Sequence, residues 1–190
     1  MTSSSPDRLV ASMGLARRWP TALALLQVAA ALYFILSEGK TDFAAGVAAM
    51  ACIYMAAYAA GRGAVAWAAY PGVVAVSVVM EYAGVDPRIC LTVLLVALWI
   101  VAVGKGHARD GRWFAIQTSG MVFFGGLTLL ALAVDQRAAG VLAGIGFFTH
   151  GLWDGYHFVR NKIVTRAWSE MCVVVDLIVG PALVVTALTS

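Results

Sequence analysis

Seven apolar segments separated by short polar breaks are the feature that most constrains the fold of this chain of 190 residues. A helix needs about 20 mostly apolar residues to cross a lipid bilayer. The segments stay apolar at successive positions and do not alternate as the strands of a membrane barrel do, so we expect helices. They are predicted at Pro20–Ser37, Phe43–Ala60, Ala64–Ala83, Ile89–Val103, Phe114–Val134, Ala138–Val159 and Ser169–Leu188.

The composition leads to the same fold class. A soluble protein contains about 25% charged residues, whereas this chain contains 12% charged and 62% hydrophobic residues. Intrinsic disorder requires low hydrophobicity, so a disordered chain is excluded together with a water-soluble globule. We expect an all-α integral membrane bundle of seven transmembrane helices. It would form a single domain over residues 1–190, with residues 1–19 as a cytoplasmic N-terminal segment.

The basic residues are divided unequally between the two sides that seven spans would create. Ten of the 13 Lys and Arg residues fall on the side that holds the N-terminus, and basic loops mark the cytoplasmic side. We therefore predict an N-in, C-out protein of the bacterial cytoplasmic membrane, with the lipid bilayer as a partner. Nucleic-acid binding is not expected, because the short loops leave no domain to carry a basic face. The oligomeric state is left open.

Ionisable residues inside the sixth and seventh segments form the sharpest pattern. His150, Asp154 and His157 follow helical spacing and share one face of the predicted helix. Asp176 in the seventh segment lies at a matching depth, about 9 Å from the cytoplasmic edge. The loop between these segments is short, so we expect them to be antiparallel neighbours. Because ionisable side chains inside a membrane are costly, their convergence predicts a functional site.

Several chemistries remain open for this site. His150, Asp154 and His157 offer ligands for a divalent metal such as Zn or Fe, and a metal-bound water would then support hydrolysis. The same groups without a metal could donate a proton to an alkene or relay protons in a carrier. A purely structural network between helices is the alternative without chemistry.

The remaining candidate residues are assigned roles from their positions in or near the predicted helices. Glu81 would lie about 18 Å in depth from Asp154 and is a candidate second acid. Ser169-Glu170 is predicted to cap the last helix. The three cysteines lack the spacing of a metal-thiolate or disulfide framework. The candidate substrate-binding residues are Tyr54, Tyr58, Gln117, Thr118, Trp153 and Tyr156.

The stretch His150-x-x-Trp153-Asp154-x-x-His157, followed by Cys172-x-x-x-Asp176, resembles small multi-pass bacterial membrane proteins of uncharacterised function. Asn161-x-Ile163 lies between the two motifs. That family carries a second His after the first stretch, where this chain has Phe158, so the full metal-ligand set of the family is not reproduced. The resemblance implies that these residues act together, but it supplies no reaction.

A fainter likeness is to membrane-embedded terpene cyclases. Those proteins are small seven-helix bundles that use a Glu in an early span and an Asp in the last one, and Glu81 and Asp176 occupy comparable places. The likeness is an analogy of position and implies acid-initiated cyclisation of an isoprenoid.

The sequence therefore favours a small intramembrane enzyme that acts on a lipid or isoprenoid from the cytoplasmic leaflet. Its chemistry would be acid/base cyclisation or metal-assisted hydrolysis. A proton-coupled carrier or channel subunit, or a non-catalytic membrane partner subunit, are the alternatives.

Overall fold

The computed structural model describes residues 18–189, which form seven α-helices and one short 3-10 helix. The prediction of an all-helical chain is confirmed. The predicted N-terminal segment, residues 1–19, lies outside the described residues except for its last two. The helices are α1 (Trp19–Glu38), α2 (Ala44–Ala60), α3 (Val65–Tyr82), α4 (Pro87–Gly104), the 3-10 helix (His107–Asp110), α5 (Arg112–Leu130), α6 (Gln136–Arg160) and α7 (Arg166–Thr189).

Helix ends differ from the predicted segments by more than two residues in two places. The fifth helix ends at Leu130, before the predicted Val134. The seventh begins at Arg166, so the predicted cap at Ser169-Glu170 is wrong and both residues lie inside the helix. In both regions the apolar run was a poor guide, because a helix can stop within apolar sequence or extend into polar sequence.

Five helices in the described part of the chain are long and apolar enough to cross a membrane, which indicates a membrane protein. They are α1, α3, α4, α5 and α7. Helix α2 has only 17 residues, and α6 carries His150, Asp154 and His157. These two helices bury more residues than any of the other five, so neighbouring helices cover much of their surface.

Polar contacts define two ends of the bundle. At one end Thr21 donates a hydrogen bond to Glu170. At the other end Arg137 donates a hydrogen bond to the carbonyl of Leu188. The first is called the basic end, because most of the described basic residues lie there. They are Arg18, Arg62, Lys105, Arg109, Arg112, Arg160, Lys162 and Arg166.

Glycines allow the backbones of α6 and α7 to approach closely. A Cβ atom added at Gly144 would lie 2.7 Å from the carbonyl oxygen of Gly180. One added at Gly180 would lie 2.7 Å from the backbone nitrogen of Phe148. Small residues at a helix crossing are the usual route to such packing in membranes. The predicted pairing of these helices is confirmed, and it brings the polar face of α6 against α7.

Helix α2 lies at the centre of the bundle, packed against α3, α4, α5 and α6. Ala48 and Cys52 on this helix are fully buried. A Cβ atom at Gly146 of α6 would lie 2.6 Å from Val47 of α2, so this crossing is also tight. The arrangement directs Tyr54, later on α2, towards the polar face of α6.

Candidate acid–base site

His150 lies between two carboxyl groups in the interior of the bundle. Its Nδ1 atom is 3.1 Å from Oδ2 of Asp154 and 3.0 Å from Oδ2 of Asp176. The exposed fractions of the three side chains are 1%, 0% and 2%. We call these three residues the acid cluster. Within residues 18–189 they form the only group of three or more His, Cys, Asp or Glu side chains with converging ligand atoms.

The local sequence explains how the acid cluster forms. His150 and Asp154 are one helical turn apart on α6, so their side chains lie together on one face. Gly151 lies between them, and a Cβ atom there would be 3.2 Å from the Cβ of Asp176. A glycine at this position therefore allows α7 to come close enough for Asp176 to reach His150.

Further hydrogen bonds hold Asp154 in place. The hydroxyl of Tyr54 donates to Oδ1 of Asp154. The oxygen of Ser169 is 3.4 Å from the same Tyr54 hydroxyl. Since the one hydroxyl proton of Tyr54 goes to Asp154, Ser169 acts as the donor to Tyr54. Asp154 thus accepts from both Tyr54 and His150, whereas Asp176 accepts from His150 alone.

An apolar cavity of about 390 Å³ adjoins the acid cluster. We call it the cleft; its walls come from α1, α2, α3, α6, α7 and the residues just before α2. Its volume is within the range of about 300–1,000 Å³ for small-molecule sites. Asp176 lines the cleft, but His150 and Asp154 do not. Its aromatic lining residues are Phe43, Tyr70, Phe147 and Trp168.

The cleft is closed by aromatic rings at the basic end and exposed along one side. Trp67 is 5.2 Å from Trp19 and 4.8 Å from Trp168, measured between ring centroids. Trp19 and Trp67 lie in the first turns of α1 and α3. Apart from this contact, α1 and α3 do not pack closely against each other in the described chain. On α3, the lining residues Val74 and Val78 are 44% and 45% exposed. In a membrane this exposed side of the cleft would face lipid.

His157 lies outside the acid cluster, although the sequence placed it on the same helical face. Its Nδ1–H donates to the carbonyl of Trp153 at 2.9 Å. Its Nε2 therefore accepts from the side-chain amide of Gln117, which is 3.0 Å away. Both ring nitrogens are committed to neutral hydrogen bonds. The structure thus brings Asp176, and not His157, to His150 and Asp154.

The other predicted substrate-binding residues make separate contacts. Thr118 accepts a hydrogen bond from the Trp99 indole at 2.9 Å. Tyr156 accepts one from Arg112 at 3.1 Å. The Trp153 ring packs against α5, where a Cβ atom at Gly120 would be 2.9 Å from it. The predicted set does not line the cleft, whose lining residues include Ile53 and Tyr70 but none of Tyr54, Tyr58, Gln117, Thr118, Trp153 and Tyr156.

Glu81 is an exposed residue near the end of α3. It lines a second pocket that adjoins the cleft, because Asp42, Ala45 and Ser77 line both. Helix α3 is continuous through Pro71, so no break carries Glu81 towards Asp176.

A smaller polar set lies at the basic end, and we call it the surface triad. The hydroxyl of Tyr58 donates to Oδ2 of Asp110 at 2.9 Å, and Nδ1 of His107 is 2.9 Å from the same oxygen. The exposed fractions of the His107 and Asp110 side chains are 24% and 42%. The hydrogen bonds from His107 and Tyr58 lower the pKa of Asp110.

The acid cluster fits a metal ion incompletely. Its three donors converge, but a histidine that binds a metal usually donates its other ring N–H to a second group. The Nε2 atom of His150 is buried without a hydrogen-bond partner. A metal at Nδ1 would therefore lack the supporting hydrogen bond at Nε2, which lies beside the ring of Phe124. The Nδ1 atom lies within hydrogen-bond distance of both carboxyl groups, and this geometry allows protons to be shared among the three residues.

Sequence reasoning missed three contributors to this region. Ser169 was assigned to a cap, but it is a buried partner of Tyr54. The aromatic rings around the cleft gave no periodic signal that separates them from core residues. Gln27 also lines the cleft. A single amide in the middle of an apolar segment was a signal that could have identified it.

The chain matches no family model, no curated protein and no solved structure. A function for the site therefore rests on the chemistry of its own residues.

Proposed function

We propose that this protein is a small intramembrane enzyme in which Asp176 donates a proton to an isoprenoid-type lipid held in the cleft. One observation carries the proposal: Asp176 is the only member of the acid cluster that lines the cleft. A hydrogen-bonded network of ionisable groups thus meets an apolar cavity through a single carboxyl group. Such a contact suits proton transfer to an apolar substrate.

Charge balance identifies Asp176 as the acid. A net charge on a buried cluster is energetically costly. Two protons distributed over the two carboxyl groups and the imidazole offset the two negative charges of the carboxylates, so the neutral acid cluster contains both. Hydrogen bonds to a carboxylate favour its charged form. Asp154 accepts two of them, from Tyr54 and His150, and keeps the negative charge. His150 is then the cation, and Asp176 carries the second proton.

The reaction would be a cyclisation that balances without a co-reactant. The carboxyl proton of Asp176 adds to one carbon of a double bond and leaves a carbocation on the other. A second double bond of the same chain attacks that carbon and closes a ring. The final carbocation loses a proton, which returns to the Asp176 carboxylate. The product is an isomer of the substrate.

Neighbouring groups support each charged stage. Aromatic faces stabilise cations, and Tyr70, Phe147 and Trp168 line the cleft. The apolar walls keep water from capturing the carbocation. When Asp176 is a carboxylate, the protonated His150 at 3.0 Å stabilises it.

We also propose a seven-span, N-in orientation for the enzyme in the bacterial cytoplasmic membrane. Helices α2 and α6 would cross the membrane together with the five apolar helices. The basic end would face the cytoplasm, as basic residues do in membrane proteins. Asp176 is ten residues beyond the start of α7, which is about 15 Å from that end.

The test uses farnesene, an isoprenoid hydrocarbon, and its terminal epoxide with the purified full chain in lipid nanodiscs. Products are followed by gas chromatography and mass spectrometry, in deuterated water for farnesene. We expect isomers of the probes, with solvent deuterium bound to carbon in the farnesene product. Asp176→Asn should reduce conversion by about 100-fold or more.

Two results would contradict the proposal. Conversion of both probes by Asp176→Asn at the wild-type rate would remove the assigned acid. Loss of conversion in the presence of a chelator, with recovery on adding Zn²⁺, would favour the metal-assisted alternative. Empty nanodiscs provide the background rate for both measurements.

A proton-coupled carrier is a second candidate, and the position of Glu81 favours it. The pocket that contains Glu81 adjoins the cleft through Ser77 and Asp42, so acidic groups follow one another from Asp176 to the far end of α3. A carrier should dissipate a pH gradient across proteoliposomes, and Glu81→Gln should abolish that flux. An enzyme should show no flux and should tolerate Glu81→Gln.

A further inference from the structure

Gln27 is a polar side chain in the middle of an apolar helix. It lies eight residues beyond Trp19 on α1, or about 12 Å along the axis. It lines the cleft, is partly buried, and within residues 18–189 no hydrogen bond satisfies its amide. An unsatisfied polar group at membrane depth is unfavourable. Its placement at the wall of a cavity points to a ligand that supplies the missing partner.

Gln27 is level with Asp176. Helices α1 and α7 both start at the basic end, and Thr21 on α1 donates a hydrogen bond of 2.6 Å to Glu170 on α7. Gln27 lies six residues beyond Thr21, and Asp176 lies six residues beyond Glu170. Each is therefore about 9 Å further along its helix. Both residues line the cleft, so an amide and a carboxyl group face one cavity at the same level.

The other lining residues limit the chemical class of the group that Gln27 binds. The cleft has no Lys, Arg or His among its described lining residues, and Asp42 adds a negative charge. A phosphate or diphosphate would lack a basic partner there. A neutral oxygen atom suits an amide donor. Ser77 is the only Ser or Thr among the described lining residues, and its hydroxyl already donates to the carbonyl of Val73 at 2.9 Å.

We propose that Gln27 binds an oxygen atom of the substrate, so that the cleft selects an oxygenated isoprenoid, such as an epoxide, over the corresponding hydrocarbon. This inference rests on the proposed function, because it concerns the molecule that Asp176 protonates. Gln27 is then a binding residue that places the oxygen beside the acid.

The reaction of an epoxide balances with these residues alone. The amide N–H of Gln27 donates to the epoxide oxygen, and Asp176 transfers its proton to the same oxygen. The bond from that oxygen to the more substituted carbon breaks, and the electron pair stays on oxygen as a hydroxyl group. A double bond of the chain attacks the carbon, and the last carbocation returns a proton to Asp176.

The experiment compares conversion of farnesene and its terminal epoxide by wild-type enzyme and by Gln27→Met, which keeps the length of the side chain but cannot donate. A neutral hydrogen bond contributes enough for a change of about two- to tenfold. We expect the ratio of kcat/KM values, epoxide over farnesene, to fall by that factor through the epoxide alone. Ser77→Ala, which removes a lining hydroxyl already used within α3, should leave the ratio unchanged.

An unchanged ratio in Gln27→Met would overturn the inference while leaving the proposed function intact. Failure of the proposed function has a different signature, since Asp176→Asn would then convert both probes normally. If Gln27→Met does not fold, Gln27→Leu and Gln27→Asn serve in its place: Leu should lower the ratio, and Asn, which keeps the amide, should lower it less. Equal ratios for Leu and Asn would also overturn the inference.

Discussion

The acid cluster and the surface triad use the same types of side chain in different surroundings. In each, a tyrosine on α2 and a histidine bind an aspartate: Tyr54 and His150 bind Asp154, whereas Tyr58 and His107 bind Asp110. Asp154 is fully buried, but Asp110 is 42% exposed. The surroundings of the two sets differ more than their hydrogen bonds do.

The buried set has two features that the surface triad lacks. It contains a second carboxyl group, from Asp176, and that group lines an apolar cavity. Water can replace a lost partner of Asp110, but not of Asp154. Tyrosine, histidine and aspartate within hydrogen-bonding distance are therefore insufficient to define a reactive site. Burial, a shared proton and contact with a substrate-sized cavity separate the two sets.

The largest contrast should be seen in activity. Asp176→Asn keeps the shape of the side chain but removes the transferable proton, so conversion of farnesene epoxide should fall by about 100-fold or more. The matched variant Asp110→Asn should retain conversion within about twofold, because Asp110 lies outside the cleft. Equal losses in the two variants would remove the distinction between the sets.

The second contrast concerns the packing of α6 against α7 and is tested by a substitution that changes no polar atom. Gly180→Ala places a Cβ atom 2.7 Å from a backbone nitrogen of α6. The overpacking should destabilise the fold by about 1–3 kcal/mol and reduce conversion by moving Asp176 away from His150. Gly104→Ala, near the surface triad, meets no atom within 4 Å. Thermal unfolding and conversion should both stay near wild type in this control, and a loss as large as that of Gly180→Ala would refute the packing account.

Removing one tyrosine hydroxyl from each set tests a contrast in stability alone. Tyr54→Phe leaves the fully buried Asp154 with one donor fewer, and an unsatisfied buried acceptor costs about 1–3 kcal/mol. Tyr58→Phe should cost less, because water can reach Asp110. The midpoint of thermal unfolding in detergent measures both. A larger loss in Tyr58→Phe would contradict the assignment of burial as the deciding difference.

The smallest expected effect is a dependence of stability on pH at the surface triad. Hydrogen bonds from His107 and Tyr58 lower the pKa of Asp110 below its ordinary value of 3.8. A lowered carboxyl pKa stabilises the folded state above the unfolded-state pKa, and this contribution is lost as the pH falls through the folded-state pKa. Asp110→Asn should therefore flatten the fall in Tm below about pH 4. An identical acid slope would show that this aspartate makes no such contribution.

The sequence was a good guide to the helices and to the pairing of α6 with α7. The apolar segments predict the helices, and helical spacing places His150 and Asp154 on one face. The same spacing also placed His157 there, but it could not show that Gln117 and the Trp153 carbonyl occupy both ring nitrogens. The contact with Gln117 depends on where α5 packs, which periodicity does not encode.

The cleft could not be predicted from the sequence. Tyr70 and Trp168 are ordinary apolar residues of their segments, and only the positions of α1, α3 and α7 make them the walls of one cavity. Glu81 shows the reverse case. It was singled out as a rare acid near a span, but the continuous α3 leaves it in a neighbouring pocket.

The central claim is that Asp176 carries the proton of the acid cluster while Asp154 carries the charge. Infrared difference spectroscopy of the full chain in nanodiscs, compared between water and deuterated water at neutral pH, tests this claim directly. A protonated carboxyl group gives a carbonyl stretching band that a carboxylate lacks. The account predicts a buried carboxylic-acid band that disappears in Asp176→Asn and is unaffected in Asp110→Asn. A band that persists in Asp176→Asn, or no such band in the wild type, would contradict it.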